Sequence, residues 1–302
     1  MMNKTAAGHI GALICAIVWG TTFVSTKILL EDFTPIEILF LRFVMGLIAL
    51  KIASPKRMKT EGWKEEKWYI LAGVSGVTLY YFMENLALVH TLASNVSVIV
   101  SAAPFFTALM AMFFIKDEKP KSNFFIGFVF AMLGIALISF PGSGELHFSP
   151  LGDLVALAAA FFWGIYSVAL KKITAYERSM TAVTKRIFFW GLLFMLPVLG
   201  VTGFAPSISQ ILEPVNLFNL VFLGLGASAF CFAAWNYAIE RLGALKSSVY
   251  IYLVPVITLI SAFFILGERI TRWGAVGTAF TLLGLILSEY KGGKKNHAEG
   301  KE

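Results

Sequence analysis

The sequence predicts an all-α integral membrane protein of ten transmembrane helices, built as two five-helix repeats of inverted topology. Three observations predict it. Of the 302 residues, 58% are hydrophobic and only 14% charged, against roughly 25% charged in soluble domains. The apolar residues, 28 phenylalanines among them, fall in long blocks rather than in alternating runs. The second half of the chain repeats the first.

The blocks can be taken in order. The first, 9–27, follows Lys4 and begins with the apolar run Ile10–Val18. It could pass for a signal peptide, but no small-residue cleavage site follows and its sequence recurs 144 residues later, so it reads as a retained helix. The second, 35–53, opens at Thr34-Pro35 and closes at Ser54-Pro55-Lys56-Arg57. Blocks 68–90 and 94–115 end before Lys119-Pro120-Lys121, and 123–140 ends at Pro141-Gly142-Ser143-Gly144. The second half gives 151–170, 181–203, 215–240, 246–266 and 272–290. Ten spans of roughly 20 residues use about 200 residues, which leaves short loops and no separate soluble domain. The ten-residue alternation of a membrane β-barrel is absent. The repeats are expected over 1–145 and 146–291, with a polar tail over 292–302.

Charge sets the orientation. Nineteen of the 25 lysines and arginines lie at the N-terminus, in alternate loops or in the tail, where they share one side of the bilayer. Lys27, Arg269 and Arg272 lie on the other side, and Arg42, Lys185 and Arg186 fall within spans. The positive-inside rule then places both termini in the cytoplasm, in a cell (inner or plasma) membrane. The net charge of +7 belongs to these loops and does not point to nucleic acid.

The repeat is legible residue by residue. At an offset of 144, Trp19, Gly20, Lys27 and Arg42 match Trp163, Gly164, Lys171 and Arg186. At 151, Gly73, Asn85, Ser97 and Pro104 match Gly224, Asn236, Ser248 and Pro255; at 150, Glu118, Gly127 and Gly134 match Glu268, Gly277 and Gly284. Five spans per repeat is an odd number, so the second copy enters the membrane from the opposite side. Inverted repeats are a recurring plan in secondary transporters, because a pseudo-two-fold axis in the membrane plane gives two nearly equivalent states around a midplane site.

The stretches Ala87–Ser94 through Pro104 to Asp117-Glu118, and Ala238–Ala244 through Pro255 to Gly267-Glu268-Arg269, resemble the EamA-type family of the drug/metabolite transporter superfamily. The Trp19-Gly20 and Trp163-Gly164 pairs resemble it too, and the similarity covers nearly the whole chain. It implies ten helices, a central cavity between the halves and export of amino acids or similar metabolites. It fixes no single substrate.

Candidate residues follow from the cost of polar groups in lipid. Pro104 and Pro255 sit mid-span, where proline removes a backbone donor and kinks a helix. Ser97 and Ser101, with Ser248 and Tyr252, lie on the same faces at i, i+4, i+7. The functional reading is a cavity wall with hinges; the alternative is ordinary helix packing. Arg42 and Glu84 lie at similar depths, roughly 10 and 9 Å from the outer surface at 1.5 Å per residue, and pair in the simplest reading. Glu84 then exchanges a proton or holds a substrate amine, or is half of a static ion pair. Its repeat mate is Trp235, so any carboxylate role belongs to the first half alone.

Arg186 either snorkels to the interface or anchors a substrate anion. Trp19, Trp163, Trp235, Tyr81 and Tyr166 line the pathway or form an interfacial belt. Asn85 and Asn236 need hydrogen-bond partners, from substrate or from a neighbouring helix. Glu118 and Glu268 precede helices, where the dipole favours a carboxylate. The faces Gly127, Ala131, Gly134 and Gly277, Thr281, Gly284 suit close helix approach or a dimer contact.

Several classes are disfavoured. Cys15 and Cys231 lie inside spans without metal-type spacing, and His9, His90, His147 and His297 lie at ends, loops or the tail, so neither a disulfide nor a metal site is expected. No His-Glu-x-x-His, Gly-x-Ser-x-Gly or Walker-type loop occurs, so neither an enzyme nor ATP-driven transport is expected. No cofactor is called for. The expected partners are a small-molecule substrate and the bilayer, with proton coupling open and a monomer or homodimer as the assembly. The expected function is secondary-active export of metabolites, amino acids first. Efflux of organic cations is the alternative, with Glu84 and the aromatics as a cation site. A channel or a structural membrane protein is the alternative of another class.

Overall fold

The protein is described by a computed structural model covering residues 4–91, 93–115, 120–138, 149–266 and 272–289. Among the described residues every regular element is helical and none is a strand. The first half holds α1 (Lys4–Leu29), α2 (Pro35–Ala53), α3 (Trp63–Gly73), a π-helical stretch Val74–Leu79, α4 (Tyr80–His90), α5 (Ala93–Val100), α6 (Ala103–Phe114) and α7 (Ser122–Ile138). The second holds α8 (Pro150–Thr174), α9 (Met180–Thr202), α10 (Ile208–Leu212), α11 (Pro214–Val221) and a π stretch Phe222–Phe230. It continues with α12 (Cys231–Leu242), α13 (Ala244–Ser248), a 3₁₀ stretch Val249–Leu253, α14 (Val254–Leu266) and α15 (Arg272–Glu289).

Among the described residues, six helical stretches are long and apolar enough to cross a membrane: Thr5–Leu29, Val96–Phe114, Pro150–Thr174, Met180–Thr202, Pro214–Leu242 and Ala244–Ile265. The distribution of polarity agrees. Phe113, Phe218 and Phe264 stand exposed on the outside, while Arg42, Asn85 and Asn236 are fully buried. That inversion of the soluble pattern costs little only where the outer surface meets lipid. The chain is a multi-pass membrane protein.

The expected proline kinks take a different form. The helix ends in a turn at Ser101–Ala102, and Pro104 opens α6; Pro255 opens α14 after the 3₁₀ stretch. A proline at a helix start loses nothing, because the N–H it lacks has no intrahelical partner there. These are breaks rather than bends, and they fall at matched positions of the repeat. The two π stretches match as well: Val74–Leu79 plus 151 lands inside Phe222–Phe230. Such segments carry imperfect hydrogen bonding and recur at functional sites.

Packing between the halves is reciprocal. α1 lies on α12 and α14 of the second half, while α8 lies on α4 and α6 of the first. The paired glycines make the close approach. A Cβ on Gly20 would stand 2.4 Å from the Ile257 Cβ, and one on Gly164 would stand 2.9 Å from the Phe106 backbone.

α7 and α15 pack together along their small-residue faces. A Cβ on Gly134 would lie 2.4 Å from the Thr281 nitrogen and 2.5 Å from the Gly277 oxygen. The faces offered above for a dimer contact are therefore occupied within one chain. Backbone cannot yield as a flexible side chain can, so Gly134→Leu is expected to cost about 1–3 kcal/mol or more. Thermal unfolding in detergent should show a clearly lowered midpoint, whereas Gly200→Leu, with nothing within 4 Å of its Cβ, should melt like the wild type. Equal midpoints for both variants would refute this packing.

Candidate functional site

A small cavity lies where the halves meet, and helical periodicity assembles it. Trp19, Thr22 and Phe23 project from one face of α1 at i, i+3, i+4, and Tyr80, Tyr81 and Glu84 from α4. Val100 and Ala103 flank the break before α6. Trp163 comes from α8, Ile251 from the 3₁₀ stretch and Val254 from the start of α14. Trp19 and Trp163 are repeat mates, as are Val100 and Ile251, and Ala103 and Val254. The symmetry fails at Thr22, Phe23, Tyr80 and Tyr81, whose mates are Tyr166, Ser167, Cys231 and Phe232, and at Glu84, whose mate is Trp235 and which brings the cavity its carboxylate. The cavity has a volume of ≈ 20 Å³, room for about one water. A metabolite is larger than this space.

The wall is aromatic. The Trp19 and Trp163 rings meet edge-on at 5.3 Å, Tyr80 and Trp163 lie 4.8 Å apart, and Tyr80 and Tyr81 4.6 Å apart. Trp235 backs Trp19 at 5.0 Å, and Tyr166 touches Trp163 at 4.9 Å. The Trp19 Nε1–H donates to the Ala227 carbonyl at 3.0 Å, whereas the buried indole nitrogens of Trp163 and Trp235 have no partner.

The simple Arg42–Glu84 ion pair does not form. Arg42 is fully buried, donates from Nε to Ser228 Oγ at 2.9 Å, and lays its guanidinium over the Tyr81 ring at 4.3 Å. Its Nη1 and Nη2 have no hydrogen-bond partner among the described residues. Glu84, only 3% exposed, reaches the cavity instead. The reason is geometric: α2 packs on the π stretch Phe222–Phe230, which holds Ser228, and the Tyr81 ring covers the guanidinium.

The predicted polar stripe turns away from the cavity, which Val100, Ala103, Ile251 and Val254 line in its place. Ser101 donates to the Ser97 carbonyl at 2.6 Å and Ser248 to that of Leu245 at 2.8 Å, the usual back-bonding of helical hydroxyls. Ser97 is buried with them, and the buried Tyr252 hydroxyl has no partner. The two asparagines find neighbouring segments. Asn236 accepts from the Tyr166 hydroxyl and donates to Thr184 Oγ1 at 2.8 Å; Asn85 donates to the Pro35 carbonyl at 3.1 Å, leaving its own oxygen unpartnered.

Arg186 neither snorkels free nor faces the cavity. Its Nε donates to both Glu66 oxygens at 2.8 and 3.0 Å, its Nη2 to Oε2 at 2.6 Å, and Trp190 donates to the same carboxylate. Beside it Arg178 binds Glu65 at 3.1 and 3.2 Å and Glu61 at 3.4 Å, and Lys185 donates to the Ser54 and Lys56 carbonyls. A polar latch thus joins the two halves at the lysine- and arginine-rich end of the bundle. Burial pushes the Glu65 and Glu66 carboxyls up, but hydrogen bonds and charge from Arg178 and Arg186 outweigh it and hold both below the ordinary carboxylate range. Glu118, Glu268, His147 and His297 lie outside the described residues.

Sequence reasoning missed Thr22, Phe23, Tyr80 and the four apolar lining residues. Periodicity could have found Tyr80, at i−4 from Glu84, and Thr22, at i+3 from Trp19. No signal marked Ser228 or Glu66 as partners of the two arginines, because those contacts cross between halves.

The EamA-like transporter family model matches twice, over residues 6–140 and 150–290. An uncharacterized transporter of Archaeoglobus fulgidus is 29% identical, covering 96% of this chain and 99% of its own. A probable terminal-alkyne amino-acid exporter of Streptantibioticus cattleyicolor is 30% identical over 91% of each chain. A probable amino-acid metabolite efflux pump of Salmonella typhimurium is 26% identical, over 92% of this chain and 93% of its own. A solved crystal structure superposes with a TM-score of 0.72 at 19% identity, covering 94% of this chain and 96% of that one, a likeness of fold.

Proposed function

The chain belongs to the EamA-like transporter family, and from that premise we propose that it is a secondary-active exporter of small metabolites, amino acids or related compounds first. It works by alternating access: ten membrane helices in two inverted five-helix repeats, 1–145 and 146–291, enclose a site that faces either side in turn. Both termini lie in the cytoplasm, and the chain sits in the cell membrane. The observation that carries this reading is the cavity itself, lined by both halves, in three places by matched residues, and holding one carboxylate. The reciprocal packing of α1 and α8 supports it, since each half can rock against the other through equivalent contacts. The exporter and efflux-pump names of two relatives support the amino-acid class.

One observation favours efflux of organic cations as a second reading. Glu84 sits among Trp19, Tyr80, Tyr81 and Trp163, and aromatic faces with a carboxylate suit a cation.

Counterflow in proteoliposomes against amino acids, organic cations and phosphorylated sugars separates the readings. Saturable exchange of amino acids is expected. Exchange of none by folded, monodisperse protein would leave a channel or structural role instead.

A further inference from the structure

We propose that Arg42 anchors the carboxylate of a zwitterionic substrate while Glu84 receives its ammonium group. This rests on the transporter reading above and names the chemistry of its site.

The repeat carries the inference. Arg42 and Arg186 are mates at the 144 offset, and Glu66 has Leu217 as its mate at 151. In one copy the arginine meets its acid: Arg186 delivers Nε and Nη2 to Glu66. In the other copy the acid is replaced by a leucine, and Arg42 keeps only the neutral Ser228 hydroxyl on Nε. Two charged donor groups, Nη1 and Nη2, remain fully buried and unpartnered. Leaving charged donors unmet in an apolar interior is costly, and an anion from outside the chain relieves it. A guanidinium with free Nη groups offers the planar fork that matches a carboxylate.

Aromatic rings lie against Arg42. Tyr81 lines the cavity and its ring covers the guanidinium at 4.3 Å, with the Phe43 ring at 5.3 Å, so a substrate that reaches Arg42 from the cavity must displace the Tyr81 ring. On the cavity side Glu84 has no Lys, Arg or His nitrogen at ion-pair distance among the described residues. The site therefore holds one basic and one acidic side chain, neither in an ion pair among the described residues. An organic cation leaves Arg42 unanswered. A phosphorylated sugar lacks further basic groups, because Lys185 and Arg186 are engaged in the latch. A zwitterion answers both charges, and the walls of Trp19, Phe23, Trp163 and Ile251 suit an apolar side chain.

The amino acid that reconstituted wild-type protein exchanges fastest, from a panel of twenty, is competed against its decarboxylated amine and its deaminated acid. For leucine these are 3-methylbutylamine and 4-methylpentanoate. Each analogue should inhibit at least tenfold more weakly than the amino acid. In Arg42→Gln the preference over the amine should collapse to within about twofold, and Arg42→Lys should restore part of it. An amine competing as well as the amino acid in the wild type overturns the proposal, as does an Arg42→Gln preference that is unchanged. If Arg42→Gln does not fold, the wild-type ratios and Arg42→Lys decide. Exchange of cations or sugar phosphates alone overturns the carboxylate anchor but leaves transport standing; exchange of nothing overturns both.

Discussion

Glu84→Gln is expected to lower exchange at least tenfold and to remove its pH dependence. Glutamine keeps the shape and hydrogen-bonding capacity of the side chain but can neither carry a charge nor release a proton. Glu84 is 3% exposed in an aromatic-walled cavity, where a change of one charge is worth a few kcal/mol even on lenient membrane scales. Each 1.4 kcal/mol is a tenfold change in rate or affinity. Transport by reconstituted variant and wild type, measured from pH 5 to 8, tests this. A purely structural Glu84 predicts a lowered melting point with the pH profile of the remaining activity intact. Unchanged rate and unchanged profile together would remove Glu84 from the mechanism.

The second large effect is expected at the latch. Glu66→Ala leaves Arg186 without its carboxylate and weakens the tie between the halves at the basic end, where the Arg178 and Lys185 contacts remain. Charge-assisted hydrogen bonds of this kind are worth about 1.5–3 kcal/mol each, discounted here because the Arg186 side chain is 25% exposed. A shift of about tenfold toward a conformation open at that end follows. A cysteine at Thr22, which lines the cavity, should then be labelled faster from that side in Glu66→Ala than in the parent. The same latch gives a pH dependence of definite sign. With the carboxyls of Glu65 and Glu66 held below their ordinary value, the latch is complete above the unfolded carboxylate pKa of about 4.3. It is lost only as pH falls through the lower folded values. Labelling of Thr22→Cys, taken relative to a free thiol at the same pH because the thiolate is the reactive form, should therefore stay constant from pH 8 to 5 and rise below about 4. An increase already between pH 7 and 5 would show that other groups hold this end closed.

A minority of the residues that line the cavity could be read before folding was considered. Trp19, Tyr81, Glu84 and Trp163 were marked by polarity or aromaticity inside apolar blocks, and the structure puts all four at one cavity. The serine stripe was misplaced for a simple reason. A helical hydroxyl satisfies itself on its own backbone, so its polarity says nothing about which way it faces. Pro104 and Pro255 marked real irregularities, but whether a proline bends a helix or starts a new one depends on the residues before it.

The sequence alone determined the helical membrane character, the two-copy plan and the rarity of buried charge. These follow from hydropathy, charge in loops and matched residues, all properties of the chain counted along its length. Tertiary structure decided which charges find partners. Arg186 meets Glu66 and Arg42 meets no acid, though the two arginines are equivalent in the repeat, because each arginine's potential partner comes from the opposite half. Contacts between halves depend on how helices distant in sequence are brought side by side, and periodicity within one helix carries no record of that.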